Sequence, residues 1–195
     1  SSLSLAFGSD DTPAATYLRT GNGASTSTYA ISRCSDASCT NVTTTQIAAP
    51  VGASTPFRTA LAVRSGQRPL ALDSQSQNRA LLDCTTSACT TSNNVLLPAA
   101  AAGLPVGLQL LANDRPSFAL FGNLTAGAFA CADATCTSGA AVQIATTTST
   151  IRDADYALAN GPSPTLAYID DATGKLGFAE CRVDQIFANG FDVVP

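Results

Sequence analysis

The chain has 195 residues, a net charge of −4, only 12% charged residues and no basic cluster, which argues against nucleic acid or an anionic membrane surface as a partner. Hydrophobic residues make up 45%, enough for one folded domain with a sizeable core, yet no apolar run approaches the roughly 18 residues needed to span a bilayer. There is no histidine, so a Ser-His-Asp or Cys-His catalytic arrangement is excluded.

In chain order, the first expected strands are "LSLAF" and "AATYL", separated by the turn "GSDDTP". A polar loop, "RTGNGASTST", leads to "STYAISR". A C-x4-C loop (Cys34, Cys39) then leads to "VTTTQIA". The same order returns as "TALAV", "RSGQRP", "LALD", "DSQSQNR", "RALLD", Cys84–Cys89 and "NVLLPA". It returns again as "GLQLL", "ANDRP", "SFALF", "GNLTAGA", "GAFA", Cys131–Cys136 and "AAVQIA". A fourth pass runs "DYALA", "NGPSP", "TLAYI", "DDATGK", "KLGFAE" and Cys181, with "FDVV" as a candidate last strand. The stretch "VLLPAAAAGLPVGLQLLA" reads as loop followed by strand, because Pro98, Gly103, Pro105 and Gly107 interrupt it. "SSLSLAFGSD" has neither a basic start nor a long apolar core, so no signal peptide is expected in it and a secreted protein would be in its mature form.

Cys34, Cys84, Cys131 and Cys181 recur at steps of 50, 47 and 50 residues, with Pro13, Pro69, Pro116 and Pro164 upstream of each. Turn signals return too often to leave room for helices, despite the abundant alanine. A repeated unit of four short antiparallel strands, about 48 residues long, is the pattern of a β-propeller blade. The expected fold is therefore all-β, a four-bladed β-propeller in a single domain over 1–195, with repeats near 2–49, 57–100, 105–146 and 152–195. A sandwich would not require the constant period, and a solenoid usually has shorter coils.

"PTLAYIDDATGKLGFAEC" carries the pattern P-x2-A-Y…G-x-L-x-F-A-x-C, which resembles propeller repeats of secreted bacterial proteins, the sialidase-like and NHL-like families. "QIFANGFD" is similar to an I-F-x2-G-F ending of secreted bacterial proteins. The resemblance implies a secreted, extracellular or cell-surface protein. By analogy with such blades, the first run of each repeat lines a central channel, the fourth is outermost, and the C-x4-C loop joins strands three and four.

Seven cysteines without histidine suit disulfides in an oxidising compartment better than zinc. Bridges Cys34–Cys39, Cys84–Cys89 and Cys131–Cys136 would each close a loop of about six residues and contribute roughly 2 kcal/mol. The competing reading is three pairs of free buried thiols. Cys181 has Ile186 where its partner should stand, so it is expected to be unpaired. A buried thiol, half of an intermolecular bridge and a rearranged pairing are all consistent with that.

Acid–base candidates are few. Glu180 is the single glutamate, and the aspartates fall mostly in turns, where backbone reasons favour them. Arg68, Arg115, Tyr156, Asp153 and Asp155 do not form the arginine cluster and acidic helpers of a sialidase site. No organic cofactor is expected. Asp153 and Asp155 are weak candidates for calcium, as are the Asp10–Asp11 and Asp170–Asp171 pairs, because none has the spacing of a known calcium loop. Asn41 and Asn123 match the glycan acceptor pattern.

The loops between the second and third runs are the most variable and polar parts of the repeat. They nominate Asn22, Gln75, Asn78, Arg79, Asn123 and Asp171 as ligand contacts. The resulting expectation is a non-catalytic binding or structural module for a glycan or protein. Its rivals are a homo-oligomeric subunit of a surface filament and a propeller hydrolase without histidine.

Overall fold

A computed structural model describes residues 3–20, 27–48, 59–73, 79–122, 124–146, 151–159 and 163–180. The fold is nearly all β, a four-bladed β-propeller of small antiparallel sheets. Blade 1 comprises β1 (Leu3–Phe7), β2 (Pro13–Thr20), β3 (Ser27–Cys34) and β4 (Val42–Ala48). Blade 2 comprises β5 (Thr59–Val63), β6 (Pro69–Asp73), β7 (Ala80–Cys84) and β8 (Ser92–Leu96). Blade 3 comprises β9 (Leu104–Leu110), β10 (Pro116–Gly122), β11 (Thr125–Cys131) and β12 (Gly139–Thr146). Blade 4 shows β13 (Ile151–Ala159), β14 (Ser163–Asp170) and β15 (Leu176–Glu180) among the described residues. Each sheet is ordered as its strands follow in sequence. The candidate final strand "FDVV", Cys181 and the C-terminal ending lie outside the described residues.

The chain divides into two compact units, Ser1–Leu96 and Leu97–Pro195, each holding two blades. In the first unit, one face of blade 1 (Ala14, Tyr29, Ile31, Ile47) packs on one face of blade 2 (Leu61, Ala71, Leu82, Cys84, Cys89). In the second unit, blade 3 (Val106, Ala119, Phe121, Ala126, Ala128, Ala130, Val142) packs on blade 4 (Tyr156, Leu166). Strand alternation explains both. Every second residue of a strand points to one face, so a single blade can bury its apolar set only against a neighbour.

The turn before each repeat's proline is built the same way in the first three blades. The amide of Gly8, Arg64 or Leu111 donates to the carbonyl of Thr12, Arg68 or Arg115, four residues on, at 3.0, 2.8 and 2.8 Å. In blades 2 and 3 these turns contain a single 3-10 turn, Ser65–Gln67 and Ala112–Asp114, with Gly66 and Asn113 in the left-handed region. Gly107 also has positive φ, +60°, and a Cβ there would stand 2.6 Å from the Cβ of Tyr156, so glycine lets β9 approach β13.

The C-x4-C loops are three copies of one hairpin. Ser35, Thr85 and Ala132 donate their amides to Asn41, Thr91 and Ser138 at 2.9, 3.0 and 2.9 Å. The second cysteine of each pair is left-handed, with φ of 55°, 53° and 56°. Bridges Cys34–Cys39, Cys84–Cys89 and Cys131–Cys136 close these turns. A left-handed residue other than glycine costs about 1 kcal/mol or more, and the bridge offsets that by restricting the unfolded hairpin. No helix of the described residues is long and apolar enough to cross a membrane.

Candidate functional site

The interface between blades 1 and 2 carries an unusual polar group. Register places Thr16 opposite Ser4 and Ile31, and Tyr29 two residues from Ile31 on the same strand, so all four share the face that blade 1 turns to blade 2. On blade 2, Thr59 pairs with Asp73 and Asp73 pairs with Ala80, alongside the Leu61–Ala71–Leu82 row. Ser4 stitches the two faces together by accepting a hydrogen bond from the amide of Leu61 at 3.0 Å.

Thr16, Tyr29 and Asp73 are fully buried and Thr59 almost so. Among the described residues, neither the Thr16 hydroxyl nor the Tyr29 phenol oxygen has a partner in hydrogen-bond geometry. Burial, and then the neighbouring Asp73 carboxylate, push the Tyr29 phenol well above its usual range, so it stays protonated. The arrangement is a neutral phenol beside a buried carboxylate, with threonine hydroxyls on both blades.

The second unit shows that the fold does not need this group. Counting from each repeat's proline and first cysteine, Thr16, Tyr29, Thr59 and Asp73 correspond to Ala119, Ala126, Ala154 and Tyr168. Those four residues line the equivalent interface of blades 3 and 4, where Tyr168 tilts against Phe121 with ring centroids 6.4 Å apart. Size is exchanged across the interface: tyrosine faces aspartate in the first unit, alanine faces tyrosine in the second. The packing problem is solved both times, and only the first solution buries a carboxylate. Burying an acid is costly, so a buried acid that packing does not require points to a functional role.

At the other edge of the same interface, Arg33 donates through Nη1 to the Gln67 carbonyl and through Nη2 to Gln67 Oε1 at 3.1 Å. Gln67 Nε2 donates to Ser9 Oγ at 3.0 Å, and Arg33 lies 3.8 Å from Asp10. Hydrogen bonds from Thr12, together with Arg33, hold the Asp10 carboxyl below its usual range. Ala130 occupies the place of Arg33 in blade 3. Within blade 2, buried Arg64 pairs with Asp83 at 3.2 Å.

Of the ligand contacts expected from the loops, Arg79 immediately precedes Ala80, the residue opposite Asp73, and is half-buried. Asp171 is exposed in the turn between β14 and β15. Asn22, Gln75, Asn78 and Asn123 lie outside the described residues. Asp155 uses Oδ1 to accept from the Tyr156 amide at 2.8 Å; the Asp153 side chain is outside the described set. Among the described residues, no three His, Cys, Asp or Glu side chains converge as a metal site. Sequence reading missed Asp73 because it took the acid as the first residue of a polar loop. Comparing the four repeats column by column would have exposed it.

No family of known proteins matches the sequence. No curated protein matches either. Solved structures do share the fold. A luciferin-regenerating enzyme aligns with a TM-score of 0.54 at 11% identity, over 90% of this chain and 59% of that one. An exo-1,5-α-L-arabinanase from a bovine ruminal metagenomic library aligns with 0.51 at 11%, over 88% and 71%. A streptogramin B lyase aligns with 0.47 at 14%, over 90% and 53%. The chain thus spans little more than half the length of the lyase and the luciferin-regenerating enzyme. At such identities the likeness shows the fold. The neighbours with TM-scores above 0.5 named here are both enzymes, and this overturns the expectation of a non-catalytic binding or structural module, with its filament-subunit rival. That expectation rested on the absence of histidine and of a recognisable constellation among Glu180, Arg68, Arg115, Tyr156, Asp153 and Asp155.

Proposed function

We propose that this chain is a β-propeller enzyme whose acid–base centre is the Tyr29–Asp73 pair between blades 1 and 2. The observation that carries the reading is the contrast between the units: equivalent positions are apolar or aromatic in the second and hold a buried carboxylate with hydroxyls in the first. Its enzyme neighbours support the same direction.

In this reading Asp73 takes a proton from the substrate or returns one to it. Tyr29, kept neutral by burial and by Asp73, donates a hydrogen bond as charge shifts. Thr16 and Thr59 orient the substrate's polar atoms. Three disulfides favour an oxidising compartment, and the blade pattern's likeness to repeats of secreted bacterial proteins fits an extracellular enzyme.

The test is turnover of a panel of chromogenic aryl esters and aryl α-L-arabinosides by the wild type and by Asp73→Asn. Loss of about 100-fold or more, with the melting temperature kept, supports the assignment. Wild-type turnover in Asp73→Asn, or collapse of its fold, assigns the carboxylate elsewhere.

A further inference from the structure

The three C-x4-C hairpins share one backbone but not one environment. Cys84 and Cys89 are fully buried, packed in the interface core with Ile47 and Leu82. The outer strand of blade 1 reaches over their loop, where Thr45 Oγ1 donates to the Ala88 carbonyl at 2.8 Å. Cys131 and Cys136 are equally buried. The first bridge differs: Cys34 is half-buried and Cys39 is exposed, and Ser35, Ala37, Ser38 and Thr40 around them are exposed as well. Thiol–disulfide exchange requires a thiolate to reach a sulfur along the S–S axis, so access separates labile bridges from structural ones.

We propose that Cys39 is an S-thiolation site for low-molecular-weight thiols, and that Cys34–Cys39 is the one bridge of the three open to exchange in the folded protein. An incoming thiolate attacks Cys39 Sγ. The Cys34–Cys39 bond breaks, Cys34 leaves as a thiolate and takes a proton, and Cys39 carries the mixed disulfide. A second thiol molecule attacks that mixed disulfide, releasing Cys39 as a thiol and the small disulfide. The protein bridge is reduced and two small thiols are oxidised.

Opening this bridge matters for the rest of the unit. Cys34 follows Arg33, whose guanidinium holds the Gln67 turn of blade 2. The bridge also closes the turn in which Cys39 holds a φ of 55°. Thiolation therefore loosens the hairpin next to Arg33, which holds the Gln67 turn of blade 2. The other two bridges keep their blades stapled.

The experiment is timed incubation of the native protein with L-cysteine, quenching with iodoacetamide, and peptide mass mapping. Any label present before thiol is added sets the baseline. Mixed disulfide on Cys39 and alkylation of Cys34, about tenfold or more faster than any change at Cys84, Cys89, Cys131 or Cys136, is the expected result. Equal rates at the three bridges, first reaction at a buried one, or mixed disulfide on Cys34 rather than Cys39 would overturn the proposal. A Cys34→Ser/Cys39→Ser variant that folds must leave the two remaining bridges as resistant as in the wild type. If they become reactive, slow exchange in the parent reflected global stability and not exposure.

Discussion

The phenol of Tyr29, on the third strand of blade 1, stands beside the carboxylate of Asp73, on the second strand of blade 2, and both are fully buried. The corresponding residues of the second unit are Ala126 and Tyr168, so the large side chain has changed sides and the acid has gone. This makes the second unit an internal control for the first.

The control can be installed. The double variant Tyr29→Ala/Asp73→Tyr gives the first unit the residues of the second. It should fold with a cooperative thermal transition, because it keeps the interface filled, and should lose turnover. Misfolding would mean that Tyr29–Asp73 organises the interface, an outcome that circular dichroism and a thermal melt distinguish.

Tyr29→Phe removes a buried oxygen that has no partner in hydrogen-bond geometry. Leaving a buried polar atom unsatisfied costs about 1–3 kcal/mol, so the variant should be as stable as the wild type or more so while turnover falls. Urea unfolding read against kcat checks both. A large loss of stability would show that the phenol's interaction with Asp73 is worth more than its desolvation.

Alkaline pH gives an independent readout of the same residue. The folded phenol is raised, by burial first and then by Asp73, above its value in the unfolded chain. Its ionisation therefore takes nothing from stability below about pH 10, the ordinary tyrosine range, and stability declines above it as the unfolded state releases the proton first. Thermal melts between pH 8 and pH 11 (chosen conditions, about one unit or more either side of the onset) should fall more steeply in the wild type than in Tyr29→Phe.

Arg33→Met should weaken the join between blades 1 and 2 by about 1–3 kcal/mol, since it removes hydrogen bonds from a charged donor to Gln67 while keeping the aliphatic stem. The melting temperature reads this. Asp10 should return toward the ordinary carboxyl range in the variant only in part, because Thr12 supplies the larger share of its shift.

The third hairpin offers a test at acid pH. Asp133 is held below its usual range mainly by the side chain of Thr135, then by the backbone amides of Thr135 and Cys136. A lowered carboxyl stabilises the hairpin above its unfolded pKa and loses that contribution as pH falls through the folded one. Thr135→Val should move the Asp133 carboxyl upward in an NMR titration, and an unchanged midpoint would contradict the hydroxyl's role.

The sequence by itself determined the blades. Strand alternation, turn chemistry and the spacing of prolines and cysteines are local, so "VTTTQIA" alone locates β4 as Val42–Ala48 and each C-x4-C pair locates its own bridge. Local pattern also misjudged the end of β8, where "NVLLPA" suggested a strand through Ala99 but the ladder stops at Leu96, two residues before Pro98, which has no amide to donate. What only the tertiary structure decided is which residues meet across blades. Tyr29 and Asp73 are 44 positions apart, and nothing in either stretch distinguishes a buried acid from the start of a polar loop. Nor does the sequence separate Cys34–Cys39, whose Cys39 is exposed, from its two buried copies; at Cys84–Cys89 burial comes from the blade 1 residues packed over the loop and not from the loop's own residues.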